Sequence, residues 1–276
     1  HKTQTSLVFC LRLSLSLQNI TQHQMTRMKK LFSALALFAM TLAVPSCNVE
    51  EPEPTNGNVE FLNITYKDKR YKSVPTTYGK DGQFVFLDKE FSAVYNAEIS
   101  QLPNLSIFVA DEHDIEFYSS LEETFETKNL KFVSSVPSNL PQTRAEIPIG
   151  SVDIFDKRDC AGDHIMFYLN KPHQMPAVRD FEDDPYHFND KCSSLILTNN
   201  LPYSKDHFIV LNGYSLPCID ISVVFVGYED KEFSGRTTVI TANAGVVNRT
   251  YSLPGFDKQL SSFKLFIAQR GQDHIR

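Results

Sequence analysis

Two short segments of the sequence concentrate oxygen-bearing side chains of the kind that bind hard cations. Residues 189–194 read Asn-Asp-Lys-Cys-Ser-Ser, and residues 257–262 read Asp-Lys-Gln-Leu-Ser-Ser. Carboxylate, amide, hydroxyl and backbone carbonyl oxygens in loose geometry are the ligands that Ca²⁺ takes in proteins. The residue types therefore suit calcium, although the same polar groups could instead only hydrogen-bond the loops that carry them.

The other reactive side chains form no recognisable catalytic or zinc-binding pattern. A helix-loop-helix calcium motif over residues 180–190 is excluded, because its sixth position is not glycine. Cys160, Cys192 and Cys218 lack zinc spacing, and in an exported protein they could form one disulfide with one thiol left over, in any of three pairings. No serine or cysteine nucleophile pattern is present. The sequence therefore predicts a protein that is not an enzyme.

The two oxygen-rich segments belong to an internal repeat. Residues 155–162 align with residues 228–235 without gaps, and each octapeptide begins with an aromatic residue and ends with glycine. Residues 188–195 align with residues 256–263, in the order aromatic residue, acid, paired serines and apolar strand. The glycine is expected where a folded hairpin needs positive φ or a close backbone approach. The repeat predicts two copies of one structural unit.

Each copy resembles one Greek-key motif of the βγ-crystallins. The resemblance rests on the aromatic-x4-aromatic-x-Gly hairpin and the later Ser-Ser strand, which occur twice in order within residues 149–270. It implies a two-Greek-key β-sandwich, and alternating runs such as residues 219–225 and 263–267 independently favour antiparallel strands. Two departures are Cys160, which replaces the second hairpin aromatic, and the extra residues Asn199 to Cys218, which we expect to add a loop or hairpin.

The resemblance also implies a set of calcium ligands. Microbial βγ-crystallins carry the pattern N/D-N/D-x-x-S/T-S, which residues 189–194 satisfy and residues 257–262 break by placing Lys258 in the second slot. In that family two sites share ligands crosswise between the copies. The implied ligands are side chains of Asn189, Asp190, Ser193, Asp257 and Ser261 and the carbonyls of Lys191 and Gln259. Because a lysine ammonium beside a cation weakens binding, we expect one dominant site.

The region before the repeat has a different pattern and predicts a small α+β module over residues 58–135. A helix should begin after the N-cap Asp88 and end before Pro103. The expected strands lie at residues 59–66, 71–74, 84–87, 105–110 and 114–118, the last two as a hairpin. Three prolines in residues 136–148 indicate a linker. The sequence thus predicts a mainly β protein with two modules, residues 58–135 and 149–270.

The beginning of the chain predicts export and a lipid anchor. Residues 25–46 have the basic, apolar and small-residue regions of a secretory signal, and the apolar run is shorter than the roughly twenty residues of a transmembrane helix. The residues before Cys47 resemble the lipobox of bacterial lipoproteins, which implies acylation of Cys47. Residues 47–57 predict an acidic, proline-rich tether. Residues 1–24 precede the candidate starts Met25 and Met28 and are expected to be non-native.

Charge and composition narrow the partners. Residues 1–46 hold five basic and no acidic residues, so residues 47–276 carry 22 basic against 33 acidic residues, a formal charge of −11. That acidity argues against nucleic acid. The sequence predicts a surface lipoprotein of the outer membrane, anchored through its acyl chains, with a calcium-binding domain that acts in structure or recognition. The alternatives are a peptidase inhibitor that presents residues 171–176 and a glycan-binding module. Besides the membrane, the candidate partners are an extracellular protein or a glycan.

Overall fold

The structure is a computed structural model, and its described residues belong to one compact unit. These are residues 59–79, 82–132, 148–172, 174–183, 185–211, 214–250 and 252–271. Within these ranges no helix is both long and apolar enough to cross a membrane. The predicted signal segment, Cys47, the tether and almost all of the predicted linker lie outside the described residues.

Residues 59–132 form the predicted α+β arrangement. Its elements are β1 (Glu60–Tyr66), β2 (Lys69–Tyr78), β3 (Phe84–Phe86), α1 (Lys89–Ala97), β4 (Ser106–Val109), β5 (Asp114–Tyr118), α2 (Leu121–Thr127) and β6 (Leu130–Phe132). Helix α1 has the predicted N-cap, because the Asp88 carboxylate accepts a hydrogen bond from the Phe91 N–H at 2.8 Å. The predicted hairpin is formed by β4 and β5.

Helix α2 is an element that the sequence analysis missed. Its N-cap is Ser120, whose hydroxyl accepts a hydrogen bond from the Glu123 N–H at 3.2 Å. The Glu123 carboxylate in turn accepts from the Ser119 N–H at 2.7 Å. This exchange is close to a capping box, so the Ser-x-x-Glu spacing at residues 120–123 was the available signal.

Eight strands of residues 149–270 form the two Greek keys. They are β7 (Gly150–Lys157), β8 (Ala161–Leu169), β9 (Ala177–Val178) and β10 (Ser194–Asn199), then β13 (Ile221–Asp230), β14 (Ser234–Asn243), β15 (Val247–Thr250) and β16 (Ser262–Arg270). In each copy the first strand pairs with the second and the fourth, giving β10-β7-β8 and β16-β13-β14. A fourth strand that returns beside the first is the Greek-key arrangement. The third strands are exchanged, since β9 pairs with β16 and β15 pairs with β10. The predicted two-Greek-key β-sandwich is confirmed.

One sheet runs through both of the predicted modules. Strand β4 pairs in parallel with β14, and β6 pairs antiparallel with β16. The ten-stranded sheet has the order β3-β2-β1-β5-β4-β14-β13-β16-β6, with β9 also on β16. The two predicted modules therefore share one continuous sheet. The physical reason is that the sandwich offers free strand edges at β14 and β16, with which the N-terminal segment pairs.

The shared sheet has an apolar core on each face. The larger core lies between the sheets and continues under α1. The smaller core lies on the opposite face and contains Phe108, Tyr118, Leu130, Val224, Val226, Tyr228, Val239, Phe266 and Ala268, against which Leu121 and Phe125 of α2 pack. Strand β13 is consequently buried on both faces from Ile221 to Tyr228, although its sequence alternation predicts one exposed face.

The extra residues 199–218 contain the expected hairpin. It consists of β11 (Phe208–Leu211) and β12 (Tyr214–Pro217), which form a separate two-stranded sheet. Cys218 follows it and is buried. Cys160, Cys192 and Cys218 are all free thiols, so none of the three possible disulfide pairings is formed.

Candidate functional site

The hairpins that open the two copies share an unusual backbone conformation. The turn after β7 has positive φ at Asp159 (62°) and Cys160 (53°), and the turn after β13 has it at Glu232 (56°) and Phe233 (61°). The spacing that the two copies share ends in Gly162 and Gly235, with φ of 85° and 77°. A side chain at Gly162 would overlap the Asp156 carboxylate, and one at Gly235 would place its Cβ 2.5 Å from Asp230 Oδ2. Positive φ therefore favours glycine at both positions, and the neighbouring carboxylate would have to shift to admit a side chain.

The second serine of each pair holds its own hairpin closed. Each hydroxyl donates to a hairpin carbonyl and accepts from a hairpin N–H. The bonds are Ser194 Oγ to Lys157 O (2.5 Å), Cys160 N to Ser194 Oγ (3.0 Å), Ser262 Oγ to Asp230 O (2.6 Å) and Phe233 N to Ser262 Oγ (3.1 Å). The backbone N–H of Cys160 makes the same hydrogen bond as that of Phe233. The cysteine that replaces the second hairpin aromatic in the first copy therefore keeps this contact.

The hairpin, the serine bonds and the strand order thus recur together in both copies. This is the combination that the sequence resemblance implies, now with every strand placed. Residues 149–270 have a βγ-crystallin-type fold. The first serines of the two pairs, Ser193 and Ser261, are not used by the hairpin N–H groups and are the ones that the crystallin resemblance assigns to calcium.

Comparisons with known proteins find similar solved structures but no match by sequence. The N-terminal domain of protein S shares 14% identity, covering 42% of this chain and 94% of its own with a TM-score of 0.26. A beta gamma crystallin from Ciona intestinalis shares 19% identity, covering 41% of this chain and 95% of its own with a TM-score of 0.24. No family model and no curated protein matches the chain significantly.

The two oxygen-rich loops of the crystallin-type sandwich lie against each other. The Asp190 N–H donates to Leu260 O at 3.2 Å, and the Lys258 N–H donates to Cys192 O at 2.7 Å. Asp190 and Lys258 occupy the same slot of the pattern and have nearly the same positive φ, 54° and 56°. The loops are therefore related by a local two-fold arrangement, in which each second-slot residue faces the other copy.

Three oxygens converge in the first loop. Ser193 Oγ donates hydrogen bonds to Asp156 O at 3.1 Å and to Lys191 O at 3.4 Å. Ca²⁺ ligands at about 2.4 Å that subtend a right angle are separated by about 3.4 Å. The spacing is therefore compatible with a shared cation. Asp156 O was not named from the sequence, because the pattern that places the Lys191 and Gln259 carbonyls does not specify which residue of the hairpin supplies a carbonyl.

The second loop brings a carboxylate from the other copy to its serine. Ser261 Oγ lies 3.4 Å from Asp190 Oδ1, so the crosswise pairing of these two predicted ligands is present. The side chain of Gln259 points to Arg236, whose Nη2 donates to Gln259 Oε1 at 2.6 Å. The same guanidinium forms two 2.7 Å bonds with Glu229 and holds the pKa of that carboxyl below its ordinary value. Only the backbone carbonyl of Gln259 is assigned to calcium.

The first-slot residues carry oxygens that the protein leaves without a partner. Asn189 Oδ1 and Asp257 Oδ1 are buried and have no hydrogen-bond partner among the described residues. The other atoms are engaged, since Asn189 Nδ2 donates to Asp190 Oδ2 at 2.8 Å and Arg158 donates to Asp257 Oδ2 at 3.2 Å. Buried acceptors without partners are costly, and a bound cation would satisfy them. The donor set therefore fits a hard cation.

The cysteines are poor candidates for chemistry. Burial raises the pKa of the Cys160, Cys192 and Cys218 thiols, which keeps them in the unreactive protonated form. Across the described ranges, no group of three or more His, Cys, Asp or Glu side chains is placed to hold a metal. The oxygen site described above is not such a group, because besides Asp190 and Asp257 it consists of serine, amide and backbone oxygens.

Proposed function

We propose that the crystallin-type sandwich binds calcium between its two loops. The observation that carries this proposal is the convergence of Ser261 Oγ and Asp190 Oδ1 across the interface between the copies, at 3.4 Å. The unpartnered oxygen of Asn189 supports it, because this is an acceptor that the protein alone does not satisfy. Bound calcium would cross-link the two Greek keys and thereby stabilise the fold.

We further propose that the site at Ser261 dominates. Its crosswise residue is Asp190, which contributes a negative charge. The equivalent position facing Ser193 is Lys258, which contributes a positive charge. A divalent ion gains Coulomb energy at the first position and loses it at the second.

Calcium should therefore raise the melting temperature of the full chain, and Asp190→Ala should remove most of that rise. Extracellular calcium modules with few carboxylates have dissociation constants on the order of 10⁻⁴ M or weaker. Calcium at 100 times the dissociation constant stabilises the folded state by about 2.7 kcal/mol. Thermal melts with and without calcium, together with calorimetric titration, measure both quantities.

Lys258→Asp is the matched gain-of-site variant. It places a carboxylate opposite Ser193 and should add a second bound ion or tighten a weak one. Magnesium is the control ion, because it demands octahedral geometry that paired loops do not supply and should cause a smaller shift. If wild type, Asp190→Ala and Lys258→Asp all show neither heat nor a shift with calcium, the serine loops are purely structural.

The cellular setting that we propose is the outer surface of a bacterial outer membrane. The basis is the signal pattern of residues 25–46, Cys47, and the acids Glu50 and Glu51 just after it, which resemble the signal that sends some bacterial lipoproteins to the outer cell surface. Anchoring through several acyl chains is stable where a single chain is not. We propose that the anchored protein is not an enzyme and acts in structure or recognition at the envelope.

Acylation of Cys47 is tested by metabolic labelling with a radioactive fatty acid. The wild-type chain should incorporate the label and fractionate with membranes, whereas Cys47→Ala should do neither. Cys160→Ala is the control, because it removes a thiol without touching the leader. Continued labelling and membrane association of Cys47→Ala would contradict the lipoprotein assignment.

A further inference from the structure

Arg158 lies at the tip of the first hairpin and binds a predicted calcium ligand. Its Nε and Nη2 donate to Asp257 Oδ2 at 3.3 and 3.2 Å, across 99 positions of the sequence. The Asp257 side chain is 14% exposed and that of Arg158 is 36% exposed, so this ion pair is partly shielded from solvent. An opposite charge at this distance neutralises much of the field that Asp257 would offer to calcium.

The same guanidinium also holds the N-terminal segment. Arg158 Cζ stacks 4.4 Å from the centroid of the Tyr78 ring in β2, and Nη1 lies 3.4 Å from Glu60 Oε1 in β1. Tyr78 completes the cluster, because its hydroxyl donates to Glu60 Oε2 at 2.9 Å. One side chain therefore connects two strands of the N-terminal segment to the second loop.

The equivalent cation of the second copy is used differently. Lys231 aligns with Arg158, but its Nζ pairs with Asp180 at 2.9 Å and with Glu182. None of the ion pairs found in the described ranges involves Asp190. One loop thus has a carboxylate that a hairpin cation neutralises, and the other has a carboxylate without one.

We propose that Arg158 is a built-in cation that takes the place of a second calcium ion at Asp257 and fastens β1 and β2 to the loop. The ion-replacement part rests on the proposed calcium function, whereas the fastening part does not. The two sites therefore differ. The site at Ser261 binds calcium, whereas at Asp257 the positive charge of Arg158 replaces the ion.

The test compares the full-length variants Lys258→Asp and Lys258→Asp/Arg158→Gln by calorimetric titration with calcium. Removing a unit positive charge roughly 6 Å from a divalent ion should tighten the second site about tenfold. Adding Lys231→Gln to Lys258→Asp is the matched control and should change that site less than about twofold, because the ion pairs of Lys231 are with Asp180 and Glu182 and not with Asp257. Arg158→Lys should keep the second site weak, because it retains the charge.

Hydrogen exchange without calcium tests the fastening. Arg158→Gln should speed amide exchange in Val74–Tyr78 severalfold, whereas Lys231→Gln should not. Equal second-site affinity with and without Arg158→Gln, or unchanged exchange in β2, overturns the inference. If the wild type binds no calcium but a variant without Arg158 does, the proposed function is overturned and the inference is supported. Absence of calcium binding in every variant overturns the proposed function and the ion-replacement part of the inference, and the exchange measurement alone then decides the fastening part.

Discussion

A chain that begins at residue 148 should fail to fold as a stable monomer. Without residues 59–132, the outer faces of Val224, Val226, Val239 and Phe266 lose the cover supplied by β6 and α2. Burial of one such side chain stabilises a protein by about 1.5–3 kcal/mol. Four of them amount to roughly the whole stability of a typical domain, about 5–15 kcal/mol. The edge of β14 that pairs with β4 also becomes free, which favours self-association.

The measurement is thermal and denaturant unfolding of residues 148–276 beside residues 52–276. The longer chain should unfold in one cooperative transition, and the shorter one should bind a hydrophobic dye and associate as concentration rises. In the longer chain, Val224→Asp should reproduce much of the loss by placing a charge in the outer core. A cooperative transition of residues 148–276 within about 1 kcal/mol of the longer chain would show that the Greek keys are self-sufficient.

This outcome concerns the part of the fold that the sequence could not predict. Local signals were read correctly: Asp88 caps α1, and the repeated octapeptides form equivalent hairpins. Burial of the outer face of β13 could not be foreseen, because its cover comes from residues about a hundred positions away and the strand's alternation is compatible with an exposed face. The proline-rich residues 136–148 indicate a segment without regular structure, but they do not indicate which strands before and after it pair with each other.

The candidate site, like the fold, was predictable from the sequence only in part. Repeat alignment placed the residues of both loops, and the structure brings Asp190 to Ser261 as the crosswise pattern requires. The alignment could not show that Asp257 is already paired, because Arg158 stands in a different element and its contact depends on the register of β1, β2 and the hairpin. The amino-acid composition shows only that Arg158 is one of the basic residues. The structure shows that it pairs with Asp257, a candidate calcium ligand.

Phe263→Ala should cost about 3–5 kcal/mol of unfolding free energy, the usual range for a fully buried phenylalanine. Phe263 has no exposed surface and lies at the centre of an aromatic group. Its ring stacks on Phe225 at 5.5 Å and on Phe181 at 5.6 Å, and it contacts Phe167 at 4.7 Å. Removing it leaves a cavity between the two sheets that the surrounding rings cannot collapse to fill.

Phe61→Ala is the matched control, because the Phe61 side chain is 59% exposed and the same atoms are removed. Surface substitutions of this kind change stability by no more than about 0.5 kcal/mol. Phe263 directly follows Ser261 and Ser262, so its cavity should also loosen the second loop and weaken calcium binding, which Phe61→Ala should leave unchanged. Urea unfolding and calcium titration of both variants measure the two effects. A loss below about 1 kcal/mol in Phe263→Ala would mean that the aromatic group does not hold the two Greek keys together.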